Sequence, residues 1–131
     1  MSKRQWMRVE GGGLSKDEKA SITMACERFI AEVLKPRFLP EIRATEFNYP
    51  IDITGKWHGH CYRFIQRFRC AHADSIAEEF DSAFARFDHL GRDRFDIMWH
   101  RHTGEWRCLH RSVPLAEALR LMETEELLHP V

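Results

Sequence analysis

Eight histidines and four cysteines are the residues of this chain best suited to chemistry, and several recur at one spacing. His58-x-His60, Cys70-x-His72, His100-x-His102 and Cys108-x-His110 are all pairs two residues apart. On a β-strand such residues point to the same face, so each pair can present two ligands together. Two pairs on neighbouring strands would complete a tetrahedral zinc site, with His58, His60, His100 and His102 as the candidate ligands. Spacing argues against this. His58 and Cys70 lie about 40 Å apart along one extended strand. At Thr103-Gly104, a two- or four-residue loop closes Arg101 against Trp106 and puts His100 and His102 on the face opposite Cys108 and His110. A three-residue loop would slip the register by one and unite all four. The apolar set Phe95, Ile97, Trp99, Trp106 and Cys108 favours the separating register. The expectation is therefore no cofactor, with zinc as the alternative, and half-exposed sheet histidines, some of them hydrogen-bonded in the core.

A second constellation is basic. From Lys56 to Cys70 there is no acidic residue, and Arg63, Arg67 and Arg69 alternate with Tyr62, Phe64 and Phe68. Strand periodicity then gathers the arginines, with Ile65, on one face. Arginine suits bidentate contact with phosphate or carboxylate. Lys56 adds charge, and Trp57, read on the same face, is placed to stack on a base. Such a face, left uncovered, would hold phosphate or nucleic acid. The competing reading pairs these arginines with the acidic stretch Asp74 to Asp81 or with Glu123 to Glu126.

Catalytic signatures fare worse. The chain lacks G-x-S-x-G, a P-loop and a dinucleotide fingerprint, and Gly11-Gly12-Gly13 follows no credible strand. A two-histidine phosphodiesterase needs two H-x-[ST] pairs, and only His110-Arg111-Ser112 fits. A metal-dependent nuclease on the first hairpin would use Asp52 with Lys56, but Ile65 and Gln66 stand where a second acid is needed. Cys61 and His60 are adjacent, and adjacent strand residues face opposite ways, which suits them badly to share a proton.

Composition bounds the class. The chain has 131 residues, 44% hydrophobic and 11% aromatic, enough for one domain-sized core. Lys+Arg and Asp+Glu are both 20, so a strongly basic nucleic-acid binder is excluded as a description of the whole chain. No apolar run is long enough for a signal peptide or a membrane span. Four cysteines without a C-x-x-C pair then suggest reduced thiols and a cytoplasmic setting.

The elements that must position these residues read clearly in places. Residues 1–13 form an arm, flexible by expectation, and 14–131 one α+β domain. Ser15 with Glu18 is a capping box, and Ile22, Ala25, Cys26, Phe29, Ile30 and Val33 recur at helical spacing. That predicts a helix from Ser15 to Leu34, ended by Pro36. Alternation from Ile42 to Ile53 predicts a strand, on an edge or bulged because of Pro50. Thr54-Gly55 reads as its turn, and Lys56 to Cys70 as the return strand. Residues 71–79 read as a loop. Ser82 to Leu90 reads as a strand with a short helix as the alternative, Phe95 to Trp99 as a strand and Trp106 to His110 as its partner. Pro114 opens a last helix reaching about Leu128. The fold expected is an N-terminal helix, a four- or five-stranded antiparallel meander sheet and a C-terminal helix, both helices on one sheet face.

This layout resembles a family of short bacterial proteins catalogued only as a domain of unknown function. The resemblance rests on Phe95 to Trp99 with His100-Arg101, the turn, Trp106 and the closing helix around Leu115 to Leu121, with Phe64 to Arg69 as a second block. It covers roughly the last two-thirds of the chain. Ile65 stands where the family often has an acidic residue ahead of its arginine, here Arg67. The resemblance implies the α+β fold and no particular activity. The functional expectation is a small non-catalytic binding or interaction module that meets no membrane. It would self-associate through an edge strand or the bare sheet surface, with a nucleic-acid-associated protein as the alternative.

Overall fold

Ser15 starts the first helix as its type and spacing require. Its hydroxyl accepts from the Glu18 N–H at 3.0 Å, and the Glu18 carboxylate accepts from the Ser15 N–H at 3.1 Å. The computed structural model describes residues 14–70 and 78–131, so the N-terminal arm, most of the 71–79 loop and His72 lie outside the described residues. Helix α1 (Lys16–Phe29) passes through a π-helical turn (Ile30–Leu34) into a final helical turn, α2 (Lys35–Phe38). Pro36 therefore does not end the helix at Leu34. The Lys35 N–H reaches back five residues to the Ile30 carbonyl, and this wider turn accommodates a residue that has no N–H to donate.

Five strands follow: β1 (Tyr49–His58), β2 (Cys61–Arg69), β3 (Glu79–Gly91), β4 (Arg94–His100) and β5 (Trp106–Val113). Each pairs antiparallel with the next, in the order β1-β2-β3-β4-β5. The strand expected over Ser82 to Leu90 is present and is longer than the alternation suggests: β3 begins at Glu79, which reads as loop in the sequence, and ends at Gly91. Helix α3 (Leu115–Thr124) and a 3-10 turn (Glu126–Leu128) close the chain. One buried cluster joins Ile22, Cys26 and Leu34 of the first helix to Tyr62, Phe64, Phe87 and Ile97 of the sheet and to Leu121 and Met122 of α3. Both helices thus lie on one sheet face. The Arg37 guanidinium donates to the Glu123 carbonyl at 2.9 Å and ties the helical segments to each other.

The first hairpin differs from expectation in two ways. Residues 42–48 are not strand: Phe47 is 72% exposed, and the Thr45 hydroxyl bonds both the N–H and the carbonyl of Phe47. The turn is also not at Thr54-Gly55. β1 runs straight through Gly55, and His58 pairs with Cys61 across Gly59-His60. Gly59 has φ +64°, the left-handed conformation a two-residue hairpin loop asks of glycine. Gly55 instead admits the Tyr62 ring, because a Cβ there would lie 1.9 Å from the Tyr62 hydroxyl. Glycine in a strand here marks a close approach, not a turn.

Candidate functional site

Strand β2 sorts its side chains as the alternation requires. Tyr62 and Phe64 are buried beneath the helices at 1% and 0% exposure. Ile65 is also buried but stands outside the helix-side core cluster, with Arg63, Arg67 and Arg69 on the other face. Among the described residues no helix covers that face. Register sets its neighbours in rows across the sheet. Arg63 lies between Lys56 of β1 and Arg86 of β3, Arg67 faces Asp81, Arg69 faces Glu79, and Cys61 faces Asp88.

The rows differ in charge balance. Arg67 Nε donates to Asp81 Oδ1 at 2.9 Å, and Arg69 donates to Glu79 at 3.0 Å. The guanidinium of Arg67 holds the Asp81 carboxyl below the usual carboxylate range. Arg86 grips Asp88 through two bonds, at 2.7 and 2.9 Å, with both side chains 17% exposed. The same guanidinium sits 4.8 Å from the Trp106 ring centroid, and Trp106 stacks on His100 at 4.7 Å. Lys56 and Arg63 make no ion pair among the described residues, and the Arg63 Nε is buried without a hydrogen-bond partner. Two of the three predicted arginines are therefore neutralised by the acidic residues opposite them, and the third is left in a row of cations. Arg86, Asp88 and Trp106 were not legible as part of this face, because their placement depends on how β3 and β5 register against their neighbours.

Trp57 is not on the arginine face. It pairs with Tyr62 and lies on the helix-covered side, where its indole N–H donates to the Thr23 hydroxyl at 2.7 Å. Moving the turn from Thr54-Gly55 to Gly59-His60 changes how the two strands meet, and alternation about Lys56 puts Trp57 under α1.

The histidine pairs are parted by the length of the sheet. His60 sits in the β1–β2 turn, where its carbonyl accepts from the His89 N–H. His100 bonds the Ala83 carbonyl through Nδ1 at 3.1 Å. Six residues of β3 separate these two places, about 20 Å of strand. His58 and His60 therefore cannot share a metal with His100 and His102.

The last hairpin does have the three-residue loop. The Arg101 N–H donates to Glu105, and the Gly104 N–H donates to Arg101. Met98 then pairs with Cys108 and His100 with Trp106, so His100 and Cys108 share the open face, contrary to the register the apolar pattern favours. A bulge at Leu109 turns His110 to the helix side, where it meets Glu125 at 3.0 Å. Among the described residues no three His, Cys, Asp or Glu side chains gather as a metal site. Buried His89 donates through Nε2 to the Arg92 carbonyl at 2.6 Å, since a carbonyl only accepts.

Three of the four thiols are held protonated. Burial, then the hydrogen bond and charge of Asp88, push Cys61 up to about 11. Burial pushes Cys26 up to about 12, and Cys108 also lies above its ordinary value through burial first. A thiolate is the nucleophilic form, so none of these three is set up to attack near neutral pH.

A family model described as "Domain of unknown function (DUF3024)" matches residues 14–129. No curated protein and no solved structure matches the chain. No helix among the described residues is long and apolar enough to cross a membrane.

Proposed function

The chain belongs to the DUF3024 family, and we propose that it is a small non-catalytic binding module that takes an oxyanionic group, of the phosphate class, on the bare face of its sheet. Lys56 and Arg63 are the anchor. The observation that carries this reading is the row Lys56–Arg63–Arg86, three cations directly opposite one another on adjacent strands. Like charges so placed destabilise a sheet, and among the described residues Arg86 alone of the three has a carboxylate partner. An oxyanion bound over Lys56 and Arg63 would relieve that repulsion.

Pairing of Arg67 and Arg69 favours a compact anion over a nucleic-acid backbone. A backbone binder draws affinity from several unpaired cations along a track, whereas on β2 Arg67 and Arg69 are paired and Arg63 is the one arginine without an ion pair among the described residues. The protonated thiols support a binding role over nucleophilic chemistry.

Titration with inorganic phosphate, followed by amide shifts in a 1H–15N spectrum, tests the reading. Saturable shifts should cluster around Lys56 and Arg63. Lys56→Gln and Arg63→Gln should each weaken binding about tenfold or more, the scale of a charged hydrogen bond. Shifts spread evenly over the surface, or indifference to both substitutions, would defeat it. Low-salt oligonucleotide binding that Arg67→Gln and Arg69→Gln abolish would move the reading to the nucleic-acid alternative.

A further inference from the structure

We propose that the cleft where the start of α1, the β3–β4 turn and the start of α3 converge is a docking site for residues 1–13 of this same chain, with the Trp6 side chain seated in it. The cleft lies on the helix-covered side of the sheet, so the proposal stands apart from the oxyanion site on the bare face. It measures about 560 Å³, within the roughly 300–1,000 Å³ usual for pockets that take a compact group.

The lining is apolar below and charged above. Ile22 of α1, Phe95 of β4 and Leu115 of α3 form the floor, with Leu115 half-buried. The rim carries three exposed carboxylates, Asp17, Glu18 and Asp93, and one guanidinium, Arg92. Glu18 accepts from the Ser15 N–H and Asp93 from the Leu115 N–H at 2.8 Å. Those bonds fix where two of the carboxylates stand and leave their charge in place. None of the four charged groups makes an ion pair among the described residues. The rim is therefore a net acidic border around an apolar floor.

What enters the fold beside this cleft selects its occupant. Leu14 packs against the core, three residues ahead of Asp17, so residues 1–13 join the body at the rim itself. Their sequence complements the lining. Lys3, Arg4 and Arg8 stand against a single acid, Glu10, the inverse of three carboxylates against Arg92. Trp6, followed by Met7 and Val9, brings apolar surface for the floor, and tryptophan is prominent among the side chains that anchor contacts in desolvated pockets. Reach is ample, since eight residues from Trp6 to Leu14 span up to roughly 26 Å when extended. Gly11-Gly12-Gly13 permits the reversal, because glycine takes left-handed backbone as readily as right-handed. The tether also keeps the segment at an effective concentration on the order of millimolar, so contacts too weak to hold a separate peptide suffice.

Assigned 1H–15N spectra of the full chain and of its Trp6→Ala variant test this, because that substitution leaves every residue of the core in place. The amides of Ser21, Arg92 and Leu115 should shift in the variant, and those of Lys56 and Arg63 should not. In the parent, nuclear Overhauser contacts should join the Trp6 indole to the methyl groups of Ile22 and Leu115, and they should survive about tenfold dilution, as an intramolecular contact must. Arg4→Gln combined with Arg8→Gln should lower the docked-to-free ratio about threefold or more, the scale of two exposed ion pairs. Unmoved Ser21 and Leu115 amides in Trp6→Ala, no contact between the indole and those methyl groups, or indifference to the paired arginine substitutions would each overturn the proposal. Contacts that vanish on dilution would give the cleft to the same segment of a second copy and overturn it as well.

Discussion

At position 55 an aromatic ring decides which residue is tolerated. A Cβ on Gly55 would sit 1.9 Å from the Tyr62 hydroxyl and 2.4 Å from the adjacent ring carbon. Tyr62 cannot swing aside easily, since its ring packs edge-on against Trp57 and Phe64 at 5.3 and 5.2 Å. Gly55→Ala should therefore destabilise by about 1–3 kcal/mol, the usual range for overpacking a filled core, measured by denaturant unfolding. A substitution without effect would mean that the ring is free to move. The thiols offer a residue-scale test of a different kind. Asp88 disfavours the Cys61 thiolate by hydrogen bond and by charge. Asp88→Asn should lower the Cys61 pKa and speed its alkylation by iodoacetamide at mildly alkaline pH, followed site by site by mass spectrometry. An unchanged rate would show that burial alone protects this sulfur. At this scale the sequence was informative about residue type and offered two acidic stretches as neighbours without choosing between them. The lack of acid between Lys56 and Cys70 is plain in the text, but that Arg67 and Arg69 find acids opposite depends on Glu79 and Asp81 lying across β3 in a particular register.

Among the elements, the first helix was the most legible, because Ser15 and Glu18 act on backbone groups three residues away and need no tertiary information. Ser15→Ala should lose about 1 kcal/mol, a typical value for a lost N-cap, with the loss read from thermal or chemical unfolding. The end of that helix was less legible. Proline forbids an ordinary turn, and nothing local announces that a π-helical turn will accommodate it. The hairpins show the same limit. Thr54-Gly55 and Gly59-His60 both satisfy the local chemistry of a turn, and the choice falls to the packing of Tyr62 over Gly55. The β2–β3 pair yields a pH prediction. Asp81 is held below its ordinary value by Arg67. A carboxyl lowered in the folded state adds stability above its unfolded pKa of about 3.9, and that stability is lost as the pH falls through the folded value. Any advantage of the parent over Asp81→Asn should thus be present at neutral pH, fade below about pH 4 and shrink with added salt, because the pair is half-exposed. An advantage that grew on acidification would reverse the assignment.

The whole molecule is a two-layer assembly, and its class followed from patterning: helical periodicity at each end and period-two alternation between them leave few alternatives to helices laid on an antiparallel sheet. What patterning could not supply is how the layers share one core. Phe87 shows the consequence. It is fully buried at the middle of β3, with its ring 4.9 Å from Phe64 and 6.2 Å from Phe95. It belongs to the same cluster as Cys26 of α1 and Met122 of α3. Phe87→Ala should cost about 3–5 kcal/mol, a large share of the roughly 5–15 kcal/mol that holds a domain together. Because both helices rest on that cluster, the loss should fall on the whole molecule. Helical circular dichroism and tryptophan fluorescence, to which Trp57 contributes from its bond to Thr23 between β1 and α1, should report one coincident transition in the parent chain and one, shifted to lower denaturant, in the variant. If the helical signal were lost at a different denaturant concentration from the tryptophan fluorescence, the helices and the sheet would be separate cooperative units. The bare sheet face could then not count on a rigid floor beneath Arg63.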